Sequence, residues 1–306
     1  MRIVIALGGN ALLHRGERPD AAVQSANIDR VAGAIAALAH EHEVVLTHGN
    51  GPQIGLLAME SAADPALSAP YPLDLLGAQT QGMIGSLLVR TLHDALPGHR
   101  VAALVTHTLV RADDPAFRHP TKFVGQVYPL DVARSLALER GWQIARDGTG
   151  WRRVVASPAP ERIVETDTIH ELLVGGTLVI CAGGGGIPVV ADQDCGALSG
   201  IEAVVDKDLT AALLAEDLRA DFLLILTDVP NVYADFGTPR QRAVLDATPG
   251  ELRRAGLPAG SMGPKAEAAA RFVERTGGLA AIGALDAADA IVHGRSGTLV
   301  RPALPA

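Results

Sequence analysis

The chain has 306 residues, 48% of them hydrophobic but only 3% aromatic, and a formal net charge of -8. That length suits one large α/β domain or two lobes, around a core that must be built from Ala, Val, Leu and Ile. The acidic balance argues against nucleic-acid or polybasic membrane partners, and no apolar run approaches the roughly 18 residues needed to span a bilayer.

In chain order, "MRIVIALGGN" reaches Gly8 too early for a signal peptide and reads as a first strand ending in Gly8-Gly9-Asn10. "VAGAIAALAHEH" has helical spacing, and "EVVLTHG" is a second strand that runs into Gly49-Asn50-Gly51. "LGAQTQGMIGSLLVRTLHDAL" predicts a helix and "VAALVTH" a strand. From about Arg111 to Ser157 the text turns polar. The pair Asp147-Gly148 predicts a β-hairpin there, within an insertion standing off the main sheet. "TLVICAG" predicts a strand leading into four consecutive glycines, Gly183 to Gly186. Beyond them "DKDLTAALLAEDL" and "GPKAEAAARFVERT" predict helices, and "DFLLILTDV" and "GLAAIG" predict strands. The alternation predicts parallel βαβ units in a three-layer α/β/α sandwich, its buried strands almost continuously hydrophobic. Ligands of such sheets gather at the carboxyl ends of strands, where "GGN", "HGNG", "GGGG" and "TDV" all fall.

Four consecutive glycines forfeit side-chain packing and cost entropy on folding. The expectation is that a phosphoryl group passes close to that backbone. Each glycine corner reads either as a tight turn or as an anion site lined by N–H groups. Asn10 and Asn50 read as turn formers or as amide donors. Lysine is scarce, so Lys122 in the insertion and Lys207 and Lys265 at helix starts stand out. Pro264 suits the first helical position. A cation beside the positive end of a helix is unfavourable without an anion, so these placements ask for a ligand unless the side chains are merely solvated. Asp208 either holds two lysines in line, ligates Mg²⁺, or caps its helix. Asp228 either lies beside a nucleotide or opens the turn before Pro230. His48 reads as a packing or loop-bracing residue. The two cysteines, Cys181 and Cys195, lack CxxC spacing and fit free thiols in a cytosolic enzyme. No P-loop, complete dinucleotide fingerprint, GxSxG elbow or HExxH motif is present.

The segments "IALGGNALL", "THGNGPQIGLL", "PLDLLGAQTQGMIGSLL", "DPAFRHPTKFVGQVY", "VASPAPERIVE", "VICAGGGGIPVV", "IEAVVDKDLTAALLA", "LLILTDV" and "GSMGPKAEAAARFVE" together resemble the carbamate kinases of the amino-acid kinase superfamily, from Met1 to about Val300. The resemblance implies a homodimeric sandwich around a mainly parallel sheet of about eight strands, with a protruding hairpin subdomain over about 111–157. It implies reversible phosphoryl transfer between carbamoyl phosphate plus MgADP and carbamate plus MgATP, in arginine or purine-derivative breakdown. An N-terminal lobe, 1–200, would hold carbamate or carbamoyl phosphate through Gly8, Gly9, Asn10, Gly49, Asn50, Gly51, Gly184 and Gly185. A C-terminal lobe, 201–306, would hold the nucleotide near Lys207, Thr227, Asp228, Val229, Tyr233, Met262 and Lys265. Lys122, Lys207, Asp208 and Lys265 would be catalytic. Mg²⁺ would be held mainly by the nucleotide phosphates, with no protein ligands assigned.

The family commonly has proline where this chain has Phe123, and "GAMSQG" where this chain has "GAQTQG" at Gly77–Gly82. Both departures bear on the rigidity of the lid and on fine substrate choice. Two rival readings are a superfamily enzyme acting on another small acid, such as acetylglutamate or a phosphonate, and a non-catalytic regulator that binds nucleotide or carbamoyl phosphate.

Overall fold

The computed structural model describes residues 1–14, 16–258 and 260–303. The first half of the chain runs β1 (Arg2–Leu7), α1 (Gly9–Leu12), α2 (Ala21–Ala39), β2 (Glu43–His48), α3 (Gly51–Ala63), α4 (Leu73–Ala95), β3 (Arg100–Ala103) and β4 (His107–Leu109). Next come β5 (Lys122–Tyr128), α5 (Leu130–Arg140), β6 (Gln143–Asp147), β7 (Gly150–Val155), β8 (Arg162–Ile163), α6 (Thr166–Val174), β9 (Thr177–Ile180), β10 (Ile187–Ala191) and β11 (Leu198–Gly200). The remainder runs α7 (Lys207–Asp217), β12 (Phe222–Thr227), β13 (Val232–Ala234), β14 (Arg242–Val244), β15 (Asp246–Ala247), α8 (Pro249–Arg254), α9 (Met262–Thr276), β16 (Leu279–Ala284), α10 (Ala288–Val292) and β17 (Thr298–Val300).

Eight strands form one sheet in the order β15-β17-β16-β12-β1-β2-β9-β3, parallel throughout except for the β16–β17 pair. Alternation along β1 divides the core. Ile3, Ile5 and Leu7 face α2, α4 and α10, packing with Ile28, Ile35, Leu88 and Ile291. Val4 and Ala6 face the opposite layer, where Ile169 of α6, Leu214 of α7, Leu252 of α8 and Phe272 of α9 lie. Successive strand residues point to opposite faces, so a strand that is apolar at every position must be covered on both sides. The expected three-layer sandwich follows from that one pattern. Alanine is the usual small residue at the helix–sheet contact: Ala268, Ala269 and Ala270 of α9 are fully buried.

The segment 111–157 carries its own antiparallel sheet, β5-β7-β6, and the hairpin turns at Asp147-Gly148 as expected, with Asp147 opposite Gly150 and Gly148 at φ 60°. The predicted strand "VAALVTH" is divided. Its first half is β3 at the edge of the main sheet, and His107 begins β4 in a second sheet, β11-β10-β4-β8. Buried Thr106 sits at the break, where its backbone and hydroxyl bond outside either ladder.

Candidate active site

The carboxyl ends of β1, β2, β9 and β12 meet on one rim. Gly8 N donates to Leu226 O at 2.9 Å and Gly49 N to Leu7 O at 3.0 Å, so the first two glycine turns continue the ladder before leaving it. A Cβ on Gly49 would lie 2.7 Å from Gly9 N, so these turns abut with room for hydrogen only. Asn10 donates from Nδ2 to Asp228 Oδ2 at 2.9 Å. This contact links the segments that follow β1 and β12, where the strand order reverses, the place at which sheets of this kind bind ligands. Thr227 Oγ1 donates to the other Asp228 oxygen at 3.1 Å.

The four glycines form the floor beside these turns, and the reason for glycine differs from the expectation. Atoms of the protein itself occupy the space a side chain would need. A Cβ at Gly183 would strike the His48 ring, at Gly184 the Asn50 amide, at Gly185 the Val205 carbonyl, and at Gly186 the Thr108 hydroxyl. Gly184, Gly185 and Gly186 also have φ of 67°, 94° and 82°, a region L side chains rarely adopt. Ala182, just before them, is held at φ 52° with threonine hydroxyls on both sides: its N–H donates to Thr106 Oγ1 at 2.8 Å and its carbonyl accepts from Thr47 Oγ1 at 2.9 Å. The Gly185 carbonyl accepts from Thr108 Oγ1 at 2.8 Å and Thr210 Oγ1 at 3.1 Å. All four threonines are fully buried. A loop that cannot be fixed by its own side chains is fixed by its neighbours' hydroxyls.

The departure at Gly77–Gly82 is part of this bracing. Thr80 accepts the Asn50 Nδ2 hydrogen bond at 2.9 Å, which turns the Asn50 side chain inward. Gln81 grips Thr106 through both its amide groups, Oε1 accepting from Thr106 N at 2.9 Å and Nε2 donating to Thr106 O at 3.1 Å. Gln79, at the other variant position, is exposed. Phe123 faces the Arg152 guanidinium at 5.9 Å, a cation–π contact inside the protruding sheet. His48 is buried, and its Nδ1–H donates to Gly49 O at 3.1 Å. Burial pulls its pKa down to about 4, so the ring is neutral and braces the turn.

The chain contains three lysines, and all three meet at the N-terminus of α7. Lys207 Nζ contacts Asp208 Oδ1, and Lys265 Nζ donates to Asp208 Oδ2 at 3.1 Å. Lys122 reaches in from the start of β5 and pairs with Asp206 Oδ2 at 2.7 Å. Burial opposes the charge on Asp208, but the Lys207 and Lys265 ammonium groups outweigh it and hold its pKa well below the usual carboxylate range. Burial pulls Lys207 down, against the attraction of Asp208. Side-chain exposure falls from 35% at Lys122 to 5% at Asp208, so the cluster is reached from the subdomain side. Three ammonium groups on two carboxylates, at the positive end of a helix, leave a net positive pocket. It is joined to the glycine floor through Thr210 of the same helix.

Two placements depart from the expectation. α9 begins at Met262, so Pro264 is its third residue and Lys265 faces Asp208 from the end of the first turn. Asp206, with no role assigned by the sequence beyond partial charge compensation, is the N-cap of α7 and the partner of Lys122. The pattern Asp-Lys-Asp before an apolar helix was its only signal. Met262 packs against the core beneath this turn. Val229 follows Asp228 along the chain, and Tyr233 lies in β13 with its ring 6.3 Å from that of Phe236. No hydrogen bond among the described residues ties either to the lysines. Among the described residues no group of three or more His, Cys, Asp or Glu is arranged to hold a metal ion, and no helix is long and apolar enough to cross a membrane.

Residues 1–282 match the amino acid kinase family. The chain is 51% identical to the carbamate kinase of Rhizobium meliloti over 302 residues, covering 98% of this chain and 93% of that one. It is 47% identical to the carbamate kinase of Escherichia coli K12 over 298 residues, covering 97% and 98%. Among solved structures, the carbamate kinase of Giardia lamblia bound to AMP-PNP superposes with a TM-score of 0.90 at 38% identity, covering 99% of this chain and 98% of that one.

Proposed function

This chain belongs to the amino acid kinase family, and from that premise we infer that it catalyses the carbamate kinase reaction, moving a phosphoryl group between carbamoyl phosphate and ADP. The observation that carries this reading is the convergence of Lys122, Lys207 and Lys265 on Asp206 and Asp208, beside the glycine rim. Phosphoryl transfer needs donor and acceptor oxygens in line, with fixed positive charge around the group in transit. Ammonium groups already ordered by buried carboxylates provide that charge without reorganisation at the moment of reaction.

In this mechanism the backbone amides of Gly9, Gly51 and Gly184, with Asn10, hold carbamoyl phosphate at the carboxyl ends of β1, β2 and β9, while Gly8, Gly49 and Gly185, whose own N–H groups bond Leu226, Leu7 and Ala182, let the turns come close to it. Asn50 gives one Nδ2 hydrogen to Thr80, which fixes how its amide is turned, and its second N–H is left to serve the substrate. ADP enters from the side of β12 and α9, against Thr227, Asp228, Val229, Tyr233 and Met262. Magnesium would come with the nucleotide as MgADP and be held mainly by its phosphates, whose charge it would neutralise. Lys207 and Lys265 face the group in transit from opposite sides of Asp208, and Lys122 closes on it from the subdomain. On this division residues 1–200 serve carbamoyl phosphate and 201–306 serve the nucleotide.

The same reading takes the enzyme as a homodimer. It is supported by the open edge of the main sheet at β3, next to exposed Leu75 and Met83 of α4 and exposed Val105. Two free thiols, Cys181 buried and Cys195 exposed, suit the reducing cytoplasm. Purified protein given carbamoyl phosphate and MgADP is expected to form ATP, and Lys265→Ala or Lys122→Ala to lose about 10²–10³ in kcat while staying folded. Near-normal ATP formation in both variants overturns the assignment. A regulator without catalysis would instead bind ADP and form no ATP.

A further inference from the structure

The protruding subdomain meets the rest of the chain on two sides: Val124 and Val155 pack against Ile54 of α3 and Leu73 and Leu76 of α4, and a short strap, residues 202–206, runs along it into the N-terminus of α7. Alternate residues of this strap face the subdomain. Glu202 Oε1 accepts from Arg153 Nη2 of β7 at 2.9 Å. Val204 N donates to Ala156 O at 3.0 Å. Asp206 Oδ2 accepts from Lys122 Nζ at 2.7 Å. Ala203, Val204 and Val205 are all buried, Val204 in one cluster with Val124 and Val155 of the subdomain, and the Val205 carbonyl lies against Gly185 of the glycine floor. The period of two in extended chain sends one set of residues to the subdomain and the other to the interior.

Both carboxylates of the strap are used twice. Glu202 Oε2 accepts from Leu73 N, the first residue of α4, at 2.8 Å. Asp206 Oδ1 accepts from Asp208 N at 2.9 Å and Leu209 N at 3.3 Å in the first turn of α7. In each case one oxygen binds a helix N-terminus and the other binds a cation of the subdomain. The helix amides fix how the carboxylate is turned, so the remaining oxygen already points at its partner. The Asp206 side chain is 13% exposed and that of Lys122 35%, so solvent screens the pair only in part.

We propose that Asp206 is the positioning residue for Lys122, and that Glu202 is the second anchor of the same strap. Together they dock the subdomain so that the Lys122 ammonium stands at the N-terminus of α7, level with Lys207 and Lys265. Asp206 touches no reacting atom; it acts through Lys122. The part played by Lys122 in transfer rests on the carbamate kinase reading, whereas the docking does not.

Asp206→Asn separates the two duties of this residue. Asparagine caps helices as well as aspartate does but carries no charge for Lys122. Expected for D206N are a thermal midpoint within about 2 °C of the parent, a kcat for ATP formation lowered about tenfold or more, and a KM for MgADP changed less than about twofold. Lys122→Ala added to D206N is expected to cost little beyond D206N alone, because the two residues act as one unit. Limited proteolysis of the ligand-free protein within 111–157 is expected to quicken several-fold in both D206N and Glu202→Gln. A parent-like kcat in D206N, or effects of D206N and Lys122→Ala that simply multiply, overturns the positioning role. Unchanged cleavage in both D206N and Glu202→Gln overturns the docking. A parent protein that forms no ATP refutes the functional reading alone, and the cleavage rates still decide the strap.

Discussion

Asp208 has the most exacting electrostatic position in the molecule. It is a buried carboxylate between two ammonium groups, and either charge type alone would be costly there. Asp208→Asn keeps the shape and leaves Lys207 and Lys265 facing each other unneutralised. Expected losses are about 10²–10³ in kcat, and about 3–5 kcal/mol in stability as after breaking a buried pair. The sign of the pH dependence follows from the lowered pKa. Asp208 titrates at about 2 in the folded protein, below the unfolded value of about 3.9, so its stabilisation is present above pH 4 and is lost as pH falls toward 2. Urea midpoints between pH 5 and 2 check this: the parent should lose stability over that window more steeply than Asp208→Asn. Lys207, Asp208 and Lys265 were legible in the sequence because charge at a helix start demands a partner. Asp206 was not, because an N-cap aspartate satisfies its helix and so hides its second duty.

At the scale of elements, the glycine floor shows protein packing where the sequence suggested only room for a ligand. The run Gly183–Gly186 announced a functional loop, yet glycine is required by His48, Asn50, Val205 and Thr108 pressing in from the protein and by three left-handed residues. Nothing local in the sequence marks Thr47, Thr106, Thr108 and Thr210 as braces, since they reach the loop from three separate parts of the chain. Replacing a hydroxyl by methyl tests them. Thr108→Val with Thr210→Val strips both donors from the buried Gly185 carbonyl and should cost about 1–3 kcal/mol in denaturant unfolding. Turnover should fall with it, because the loop peptides lose their fixed orientation. An unchanged midpoint and kcat would remove the bracing account. The start of α9 at Met262, earlier than Pro264 suggests, and the splitting of "VAALVTH" at Thr106 belong to the same scale. Both are set by contacts with distant segments, which local pattern does not contain.

The whole sheet, by contrast, was open to reading, because it obeys the simplest physics in the chain. Continuous apolar strands alternating with alanine-rich helices can be buried only between two helical layers, and the eight-stranded order places the corners after β1, β2, β9 and β12 on one rim. The second sheet, β11-β10-β4-β8, was hidden by short strands whose pairing is not sequential. The protruding subdomain was visible as a change of composition, but its attachment through 202–206 was not, because that attachment joins segments more than forty residues apart.

The distribution of lysine has a chemical consequence. Outside the pocket every basic side chain among the 26 Lys and Arg residues is arginine, so the only primary amines are the α-amino group and the three ε-amines of the cluster. A general acylating reagent, normally a blunt tool that decorates a protein's exterior, becomes by composition alone a label for the lysine cluster of this one. Brief treatment with an N-hydroxysuccinimide ester should abolish ATP formation with adducts on Met1 and Lys122, the most accessible of the three. Carbamoyl phosphate with MgADP should shield Lys122, which peptide mass mapping reads directly, and covalent immobilisation through amines should inactivate the protein where thiol coupling at Cys195 does not.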